Sequence, residues 1–421
     1  MPDTLPSLSL QDWLVAEGLR GRGDATLVQG FCERLLTLGV PVFRVFVGSD
    51  VLHPTKEARA LRWRRGTAIV DTDAVRGGGK VTDQAWRASP FFAMLERGKS
   101  EMRLKLDDPA RAAAFPILPE LKQEGATEYA AFVVPLGGVL RFGQVEEIYA
   151  SFATDRAGGF GDADMAALRA VMPTLALALH AQRLGVAGRT LLDTYLGADA
   201  ADRVLAGNIM RGQPESIRAV IWSSDLAGFT RVADEIPADE MLAMLNAYAE
   251  VVVDVVEGRG GDVLKFIGDG ILAIFREDDP FVACGRALDA ARAMLARIDA
   301  LKAERRAAGL PVAGVNLALH VGEVLYGNFG SATRLDFTVL GPAVNETSRI
   351  AALSHSLEQR VIVSSAFAVE CGPRRVELVS LGRYALRGVA RPQELFTFDV
   401  EAAPGARHTY RHTEGGRQTA E

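Results

Sequence analysis

The sequence predicts a protein of two α/β (α+β) domains joined by a helical segment. Its 421 residues are 48% hydrophobic, which is enough for two cores because a domain usually takes about 100–200 residues. Strand and helix periods alternate regularly in residues 216–401. Residues 186–215 are small and polar around spaced leucines, with several glycines. We therefore predict domains at 1–185 and 216–401, a helical linker at 186–215 and a disordered tail at 402–421.

Composition and charge argue against several classes of protein. No run of about 20 residues is apolar and uncharged, and the first residues lack a signal peptide's basic start and apolar core. We therefore expect a cytoplasmic protein with no membrane span. The net charge is −6 and the basic residues are dispersed, which predicts no nucleic-acid partner. The densest basic run, Arg62-Trp63-Arg64-Arg65, is interpreted as a solvated strand or turn, with a ligand or partner contact as the alternative.

Helices and short strands alternate in residues 1–185. Apolar residues recur at helical spacing in 10–19 and 25–38, and Asp24 is the predicted N-cap of the second helix. Strand-like runs at 42–47, 130–135 and 147–153 precede a last predicted helix at 162–182. This α/β pattern resembles GAF- or PAS-type sensor domains in outline. The resemblance implies a regulatory domain, with a ligand that the sequence leaves unknown.

The C-terminal region follows the order β-α-β-β-α-β. The predicted elements are a strand at 217–223, a helix at 239–257, a hairpin of strands 263–267 and 271–275, a helix at 281–308 and a strand at 315–320. This order is the ferredoxin-like arrangement. In that topology the end of the first strand lies beside the tip of the hairpin.

Two acidic residues occupy those two positions. Asp225 follows the first strand and Asp269 is at the hairpin tip. Two carboxylates about 4 Å apart repel by about 4 kcal/mol at an effective dielectric near 20, and a divalent cation would reverse this. Oxygen ligands favour Mg²⁺ or Mn²⁺. The next residues, 226–230, are opened by Gly228 and can offer backbone N–H groups to a triphosphate. Each feature alone is an ordinary turn, but together they indicate nucleotide chemistry.

Four ordered motifs make a family resemblance specific. They are SSDLAGFT at 223–230, LKFIGDGILAIF at 264–275, LHVGEVLYGNFG at 319–330 and FTVLGPAVNETSRIA at 337–351. This set resembles the class III nucleotide cyclases over essentially all of residues 216–401. The resemblance implies a homodimer in which each active site combines the metal-binding half of one protomer with the base-recognising half of the other. It also implies a lyase reaction on a nucleoside triphosphate.

The resemblance assigns roles to individual residues. It implies that Asp225, Asp269 and the backbone carbonyl of Leu226 hold two ions of Mg²⁺ or Mn²⁺ in each active site. The residues implied to hold the phosphates are Gly228, Phe229 and Thr230.

The other protomer is implied to supply the remaining polar groups. Asn345 and Arg349 match the family's N-x-x-x-R motif and, four residues apart, share one helix face. Asn345 would orient the ribose, and the planar guanidinium of Arg349 suits the charge that spreads over the α-phosphate. Arg387, in the sequence LRGV, matches a basic residue that reaches the terminal phosphates.

Two positions bear on the choice of nucleotide. Lys265 lies in an apolar strand, where adenylyl cyclases carry the lysine that hydrogen-bonds adenine. Thr338 stands seven residues before Asn345, where many of these enzymes have aspartate. The combination resembles the Lys/Thr subgroup of bacterial-type soluble adenylyl cyclases, and it predicts ATP rather than GTP as substrate and cyclic AMP as product.

Two alternatives remain open, and a third is disfavoured. A guanylyl cyclase would share most of these motifs, and a catalytically silent nucleotide-binding module would share the fold. A diguanylate cyclase is the third, since Gly260-Gly261-Asp262 resembles the start of its GG(D/E)EF signature. The following Val263-Leu264-Lys265 breaks that signature.

Overall fold

The fold is described by a computed structural model. It covers residues 9–76, 80–137, 147–212, 214–389 and 391–398. The chain divides into two units, Met1–Leu191 and Leu192–Glu421. The tail predicted at 402–421 lies outside the described residues. Among the helices of the described ranges, none has the length and apolar content that a bilayer span requires.

The N-terminal unit contains a six-stranded sheet. Its strands are β1 Arg44–Asp50, β2 Lys56–Arg64, β3 Val70–Val75, β4 Glu101–Lys105, β5 Glu128–Pro135 and β6 Glu147–Thr154. Their order is β3-β2-β1-β6-β5-β4, with every neighbouring pair antiparallel. The sequence predicted only β1, β5 and β6, because β2 to β4 carry many charged residues and little apolar alternation.

Helices cover both faces of this sheet. They are α1 Leu10–Leu19, α2 Asp24–Thr37, α3 Lys80–Arg87, α4 Pro90–Glu96, α5 Pro109–Ala112, α6 Ile117–Gln123 and α7 Asp162–Leu196. Side chains of α1, α2 and α7 pack on one face, around Val47 and Phe152. Side chains of α4, α5 and α6 pack on the other face, around Tyr129 and Tyr149. Alternating residues of β1, β5 and β6 therefore enter two separate cores.

Two sequence predictions in this unit need correction. Gly23, not Asp24, is the N-cap of α2, because the Asp24 carboxylate instead pairs with Arg183 of α7, with 3.0 Å between Oδ2 and Nε. The last helix does not end at residue 182 but continues to Leu196. It ends where Gly197 takes a φ of 83°, a conformation that glycine adopts without a steric cost.

The C-terminal unit is built on an eight-stranded sheet. Its strands are β7 Glu215–Ala227, β8 Gly261–Ile267, β9 Gly270–Phe275, β10 Gly314–Gly330, β11 Leu335–Leu340, β12 Val361–Ser364, β13 Leu378–Tyr384 and β14 Gln393–Phe398. The helices are α8 Ala198–Leu205, α9 Phe229–Glu235, α10 Ala238–Glu257, α11 Pro280–Ala307, α12 Pro342–Ala351, α13 Ser354–Leu357 and α14 Ser365–Glu370. A short 3-10 helix follows at Gly372–Glu377.

The strand order confirms the predicted ferredoxin-like arrangement. The sheet runs β13-β14-β12-β10-β7-β9-β8, with β11 paired to β10. Its part β10-β7-β9-β8 is the order 4-1-3-2 of a βαββαβ unit. The strands β7 and β10 are longer than predicted because they pair without a break from Gly314↔Ala227 to Tyr326↔Glu215.

Helices again cover both faces of the sheet. On one side α10 and α11 bury a large apolar core against β7, β9 and β10. Tyr248 of α10 fixes that side, because its hydroxyl donates to the Ala313 carbonyl at 2.7 Å and accepts from the Ala313 N–H at 3.0 Å. On the other side Ala343 of α12 packs with Tyr326 and Phe337. The sheet thus separates α10 from α12.

Candidate active site

Two carboxylates meet where β7 ends beside the β8–β9 turn. The Asp269 carboxylate accepts a hydrogen bond from the backbone N–H of Leu226, at 3.1 Å. Gly270 permits this approach, since a Cβ there would lie 3.0 Å from the Ser224 carbonyl oxygen and 3.9 Å from the Asp225 Cβ. Asp225 and Asp269 therefore lie side by side, as the ferredoxin-like topology predicts.

The environment of Asp225 disfavours its charge. Burial raises the pKa of the Asp225 carboxyl above its usual value, and the charge of Asp269 raises it further. A hydrogen bond with Asn316, its partner on β10, acts in the opposite direction. Oδ1 of Asp225 is buried and has no hydrogen-bond partner among the described residues. An unpaired anionic oxygen in a buried position is costly, so this site favours a bound cation.

The donor set fits a hard divalent cation. The oxygens of Asp225 and Asp269 lie together with the main chain of Leu226, and magnesium sites commonly take one or two carboxylates plus substrate phosphates and water. Among the described residues there is no cluster of three or more His, Cys, Asp and Glu side chains. A closed, all-protein metal site is therefore not present in the described part of the chain.

A cavity of about 260 Å³ opens beside the acidic pair. Asp225, Asp269 and Leu226 line one side, and Asn246 and Tyr248 of α10 line another. Both acidic residues therefore border a space that a small group can enter.

The predicted phosphate segment is a sharp turn into α9. Gly228 is the N-cap of that helix and has a φ of 75°, which favours glycine. Phe229, the next residue, packs against the core formed with α10 and α11. The backbone of Thr230 lies in α9, and its side chain is outside the described part of the structure.

The two base-reading candidates lie on neighbouring elements. The Lys265 ammonium of β8 forms an ion pair with Asp336 of β11. Asp336 and Thr338 are two residues apart and so point to the same side of β11. The Thr338 side chain is buried. The structure therefore brings Lys265 to the strand that carries Thr338.

The third group of predicted residues surrounds α12. Asn345 is exposed on this helix, and Arg349 is partly buried one turn later. The Arg349 guanidinium packs on the turn that contains Arg387, since a Cβ at Gly388 would lie 3.3 Å from one of its nitrogens. Within the described ranges no ion pair neutralises Arg349. The Arg349 guanidinium therefore lies against the turn that contains Arg387, with no carboxylate of the described residues to neutralise it.

The α12 group is separate from the acidic pair within one chain. Ala343 packs against Gly322, where a Cβ would lie 2.7 Å from the Ala343 Cβ. Gly322 pairs with Ala219, six residues along β7 from Asp225, so the start of α12 lies about 20 Å along the strand from Asp225 at ~3.3 Å per residue. The end of α12 packs with Ala318, which pairs with Ser223, but on the face of the sheet opposite α10. No hydrogen bond or ion pair of the described residues joins α12 to the two carboxylates.

Comparison with known families decides what this domain is. The model of the adenylate and guanylate cyclase catalytic domain matches residues 214–402. Residues 214–402 belong to this family. The resemblance drawn from the four motifs is thereby confirmed for the cyclase domain, while that of residues 1–185 to GAF or PAS domains stays a prediction.

Several individual proteins are similar to parts of this chain. An uncharacterized protein of Mycobacterium tuberculosis (strain CDC 1551 / Oshkosh) is 31% identical over 232 residues, 54% of this chain and 39% of that protein. The adenylate cyclase of Anabaena cylindrica is 32% identical over 163 residues, 38% of this chain and 32% of that protein. The chain thus spans 32–39% of the length of these two relatives. The crystal structure of the adenylyl cyclase CyaB from P. aeruginosa aligns with 48% of this chain and 100% of its own, at 22% identity and a TM-score of 0.41.

Sequence reasoning missed two polar residues of the cyclase domain. Asn316 is the hydrogen-bond partner of Asp225, and Asp336 is the ion-pair partner of Lys265. Both contacts join strands that are distant in sequence, so they depend on register. The only local sign of these contacts was Asp336 itself, a charged residue two positions before Thr338 in a short strand. Such a residue normally faces solvent, so it did not indicate an ion pair.

Replacing Asp225 tests the electrostatic cost of this site. We expect Asp225→Asn to unfold at a higher temperature than wild type without divalent metal near pH 7, because it removes a carboxylate that burial and Asp269 disfavour. A raised pKa means that the folded state binds the Asp225 proton more tightly than the unfolded state does. Wild type therefore loses stability as the pH rises from the unfolded-state pKa of Asp225 through its higher folded-state pKa. The advantage of the variant should therefore shrink at acidic pH. Thermal denaturation at several pH values measures both effects.

The exposed Asp234→Asn change is the matched control and should leave the midpoint almost unchanged. A lower midpoint for Asp225→Asn, or a difference that does not depend on pH, would contradict the electrostatic account.

Proposed function

We propose that this chain is an adenylyl cyclase, a lyase that converts ATP into 3′,5′-cyclic AMP and pyrophosphate in a homodimer. The observation that carries the proposal is the Asp225–Asp269 pair of the cyclase domain, which borders a cavity and contains a buried oxygen without a hydrogen-bond partner among the described residues. Most buried side-chain oxygens of a folded protein have a cationic or hydrogen-bonding partner, so the unpaired oxygen of Asp225 supports a role in binding a cation. We further propose that residues 1–185 regulate this activity.

The acidic pair would hold two Mg²⁺ or Mn²⁺ ions together with the carbonyl of Leu226. Ions bound there would lower the pKa of the ribose 3′-hydroxyl and neutralise charge on the pyrophosphate. Asp225 and Asp269 supply the negative charge that makes such binding favourable. The turn at Gly228, with Phe229 and Thr230, would offer backbone N–H groups to the β- and γ-phosphates.

The α12 group would act at the reacting phosphate. The 3′-oxygen attacks the α-phosphorus, the bond from phosphorus to the β-bridging oxygen breaks, and pyrophosphate leaves. Arg349 would donate hydrogen bonds to the α-phosphate oxygens as their charge redistributes, since a fixed guanidinium is suited to that task. Asn345, on the same helix face, would hold the ribose, and Arg387 would contact the terminal phosphates.

Adenine would be recognised by Lys265 and Thr338. The Lys265 ammonium can donate to a ring nitrogen of adenine, and the Thr338 hydroxyl can accept from its N6 amino group. Asp336 would hold the Lys265 side chain in position, since the two already form an ion pair. Guanine presents a carbonyl at the position of the amino group, so the same pair of residues favours ATP.

The separation of the two groups in one chain supports a shared site. Asp225 and Asp269 lie at one end of β7, while Asn345 and Arg349 belong to a helix that makes no polar contact with them in the described residues. We therefore expect a nucleotide held by the two carboxylates of one chain to contact Asn345 and Arg349 of a second chain. A symmetric dimer would form two such sites.

The reaction itself is tested by product analysis. We expect wild type to form cyclic AMP from ATP with Mn²⁺ or Mg²⁺, and Asp269→Ala to lose at least about a hundredfold of this activity, as for removal of other groups that stabilise transition-state charge. Chromatography of the products from ATP and, separately, from GTP gives the measurement.

The exposed Asp234→Ala change is the control and should retain activity. Cyclic GMP as the main product would establish the guanylyl cyclase alternative. No cyclic product from either nucleotide would favour the silent nucleotide-binding module.

Base selectivity is tested at Lys265. We expect Lys265→Met to lower kcat/KM for ATP by about 10- to 100-fold, because a hydrogen bond from a charged group is lost. The value for GTP should change less.

Asp336→Asn should raise KM for ATP more than it lowers kcat, because Lys265 is then held less firmly. Steady-state kinetics with both nucleotides separate these effects, and Lys302→Met on α11 is the charge-matched control. Equal losses with ATP and GTP would show that Lys265 does not read the base.

The shared site is tested by mixing two inactive variants. Co-expressed Asp225→Asn and Arg349→Ala chains should regain about one quarter of wild-type activity, because half of random dimers are mixed and each of these has one intact site. Asp225→Asn with Asp269→Ala is the matched control and should stay inactive, since both changes affect the same half. Failure of the first pair to regain activity, in chains shown to associate, would place all site residues in one protomer.

A further inference from the structure

A second and larger cavity lies within the N-terminal unit. It has a volume of about 470 Å³ and is bounded by the sheet on one side and by α3, α4 and α6 on the other. Packed interiors rarely contain voids much larger than a water molecule, whereas ligand pockets usually measure ~300–1,000 Å³. The size of this cavity therefore indicates a binding site.

Four aromatic rings form a continuous wall of the cavity. Phe46 of β1 stacks on Phe91 of α4, with 5.6 Å between ring centroids and 29° between planes. Tyr149 of β6 contacts Phe91 at 5.3 Å and Trp86 of α3 at 5.2 Å. Such a wall offers ring faces and edges to a flat apolar molecule.

Small residues of the sheet keep the cavity open beside these rings. Gly48, Ala60 and Ser151 line the cavity on β1, β2 and β6. A Cβ at Gly48 would lie only 2.7 Å from the Phe46 ring, so glycine allows that ring to lie over the strand. Larger side chains at these positions would fill the space, as they do in the core on the other face of the same sheet.

Three arginines line the cavity, and two of them are neutralised by the protein. Arg44 donates to Glu120 at 2.7 Å and to Glu124 at 3.0 Å, and Arg59 forms a two-pronged pair with Asp71.

Arg62 is the arginine whose charge the described residues leave uncompensated. It donates to the Thr72 hydroxyl at 2.8 Å, and its guanidinium carbon lies 5.8 Å from the Phe46 ring centroid. It forms no ion pair with any described carboxylate. Because the Arg62 side chain is exposed, its positive charge lies at the mouth of the cavity, whose lining also includes Asp50 and the paired Arg44 and Arg59.

We propose that this cavity binds a small planar organic anion. The ring system of the ligand lies against the four aromatic side chains, and its carboxylate pairs with Arg62. In the basic run 62–65, Arg62 is therefore the residue that contacts the ligand. Arg65 instead pairs with Asp155, at 3.0 Å. The site is independent of the nucleotide reaction, so its test does not rest on cyclase activity.

The test uses 1-naphthoate as the anionic probe and 1-naphthamide as its neutral counterpart, titrated calorimetrically into the full chain. We expect naphthoate to bind with a stoichiometry of one, and Arg62→Gln to weaken it about tenfold, the lower limit for a charged hydrogen bond at an exposed site. Naphthamide binding should be the same in wild type and Arg62→Gln. The matched control is Arg64→Gln, which removes the same charge two residues along β2 outside the cavity and should change neither affinity.

A second variant tests the location of the site. Ala60→Phe places a ring in the cavity and should abolish binding of both probes while thermal denaturation still shows a folded protein. If Ala60→Phe does not fold, the Arg62 and Arg64 comparison decides alone. Absence of naphthoate binding to wild type, or an equal loss in Arg62→Gln and Arg64→Gln, would overturn the proposal.

Discussion

The uninterrupted pairing of β7 with β10 is the constraint on which the cyclase domain depends. Its register runs from Gly314↔Ala227 to Tyr326↔Glu215. At one end it places Asn316 beside Asp225, and at the other it extends β10 far enough to carry β11 and the packing surface of α12. A slip of one residue would turn Asp225 to the other face of the sheet. The metal-binding candidates and the base-reading strand therefore share one register.

This register creates an electrostatic cost at the proposed site. Asp225 and Asp269 are brought together by backbone contacts, so neither can move away without disturbing the β7 end or the β8–β9 turn. The chain keeps a buried anionic oxygen without a partner in the described residues, which lowers stability in the absence of a cation. Such a sacrifice of stability is common where function requires a strained or charged arrangement.

The two units hold charge in different ways. In the N-terminal unit most arginines near the large cavity are neutralised locally, as Arg44 is by Glu120 and Glu124. Arg62 is the arginine of the cavity that no described carboxylate neutralises, so the positive charge lies at its side of the cavity. In the cyclase domain the uncompensated groups occur as separate sets, acidic at the end of β7 and basic around α12. Opposite charges that do not meet within one chain can meet across a dimer or through a bound nucleotide phosphate.

The sequence by itself determined the C-terminal fold and the candidate residues, because period, glycine turns and ordered motifs are local properties. It predicted that Asp225 and Asp269 would meet, since the βαββαβ order leaves one place for the hairpin tip. It did not predict the Asn316 and Asp336 contacts, the pairing of Asp24 with Arg183, or the strands β2 to β4, because each depends on partners distant in the chain. Only the tertiary structure decided which oxygen of Asp225 lacks a partner and that a ring-lined cavity faces Arg62, since both follow from packing between elements.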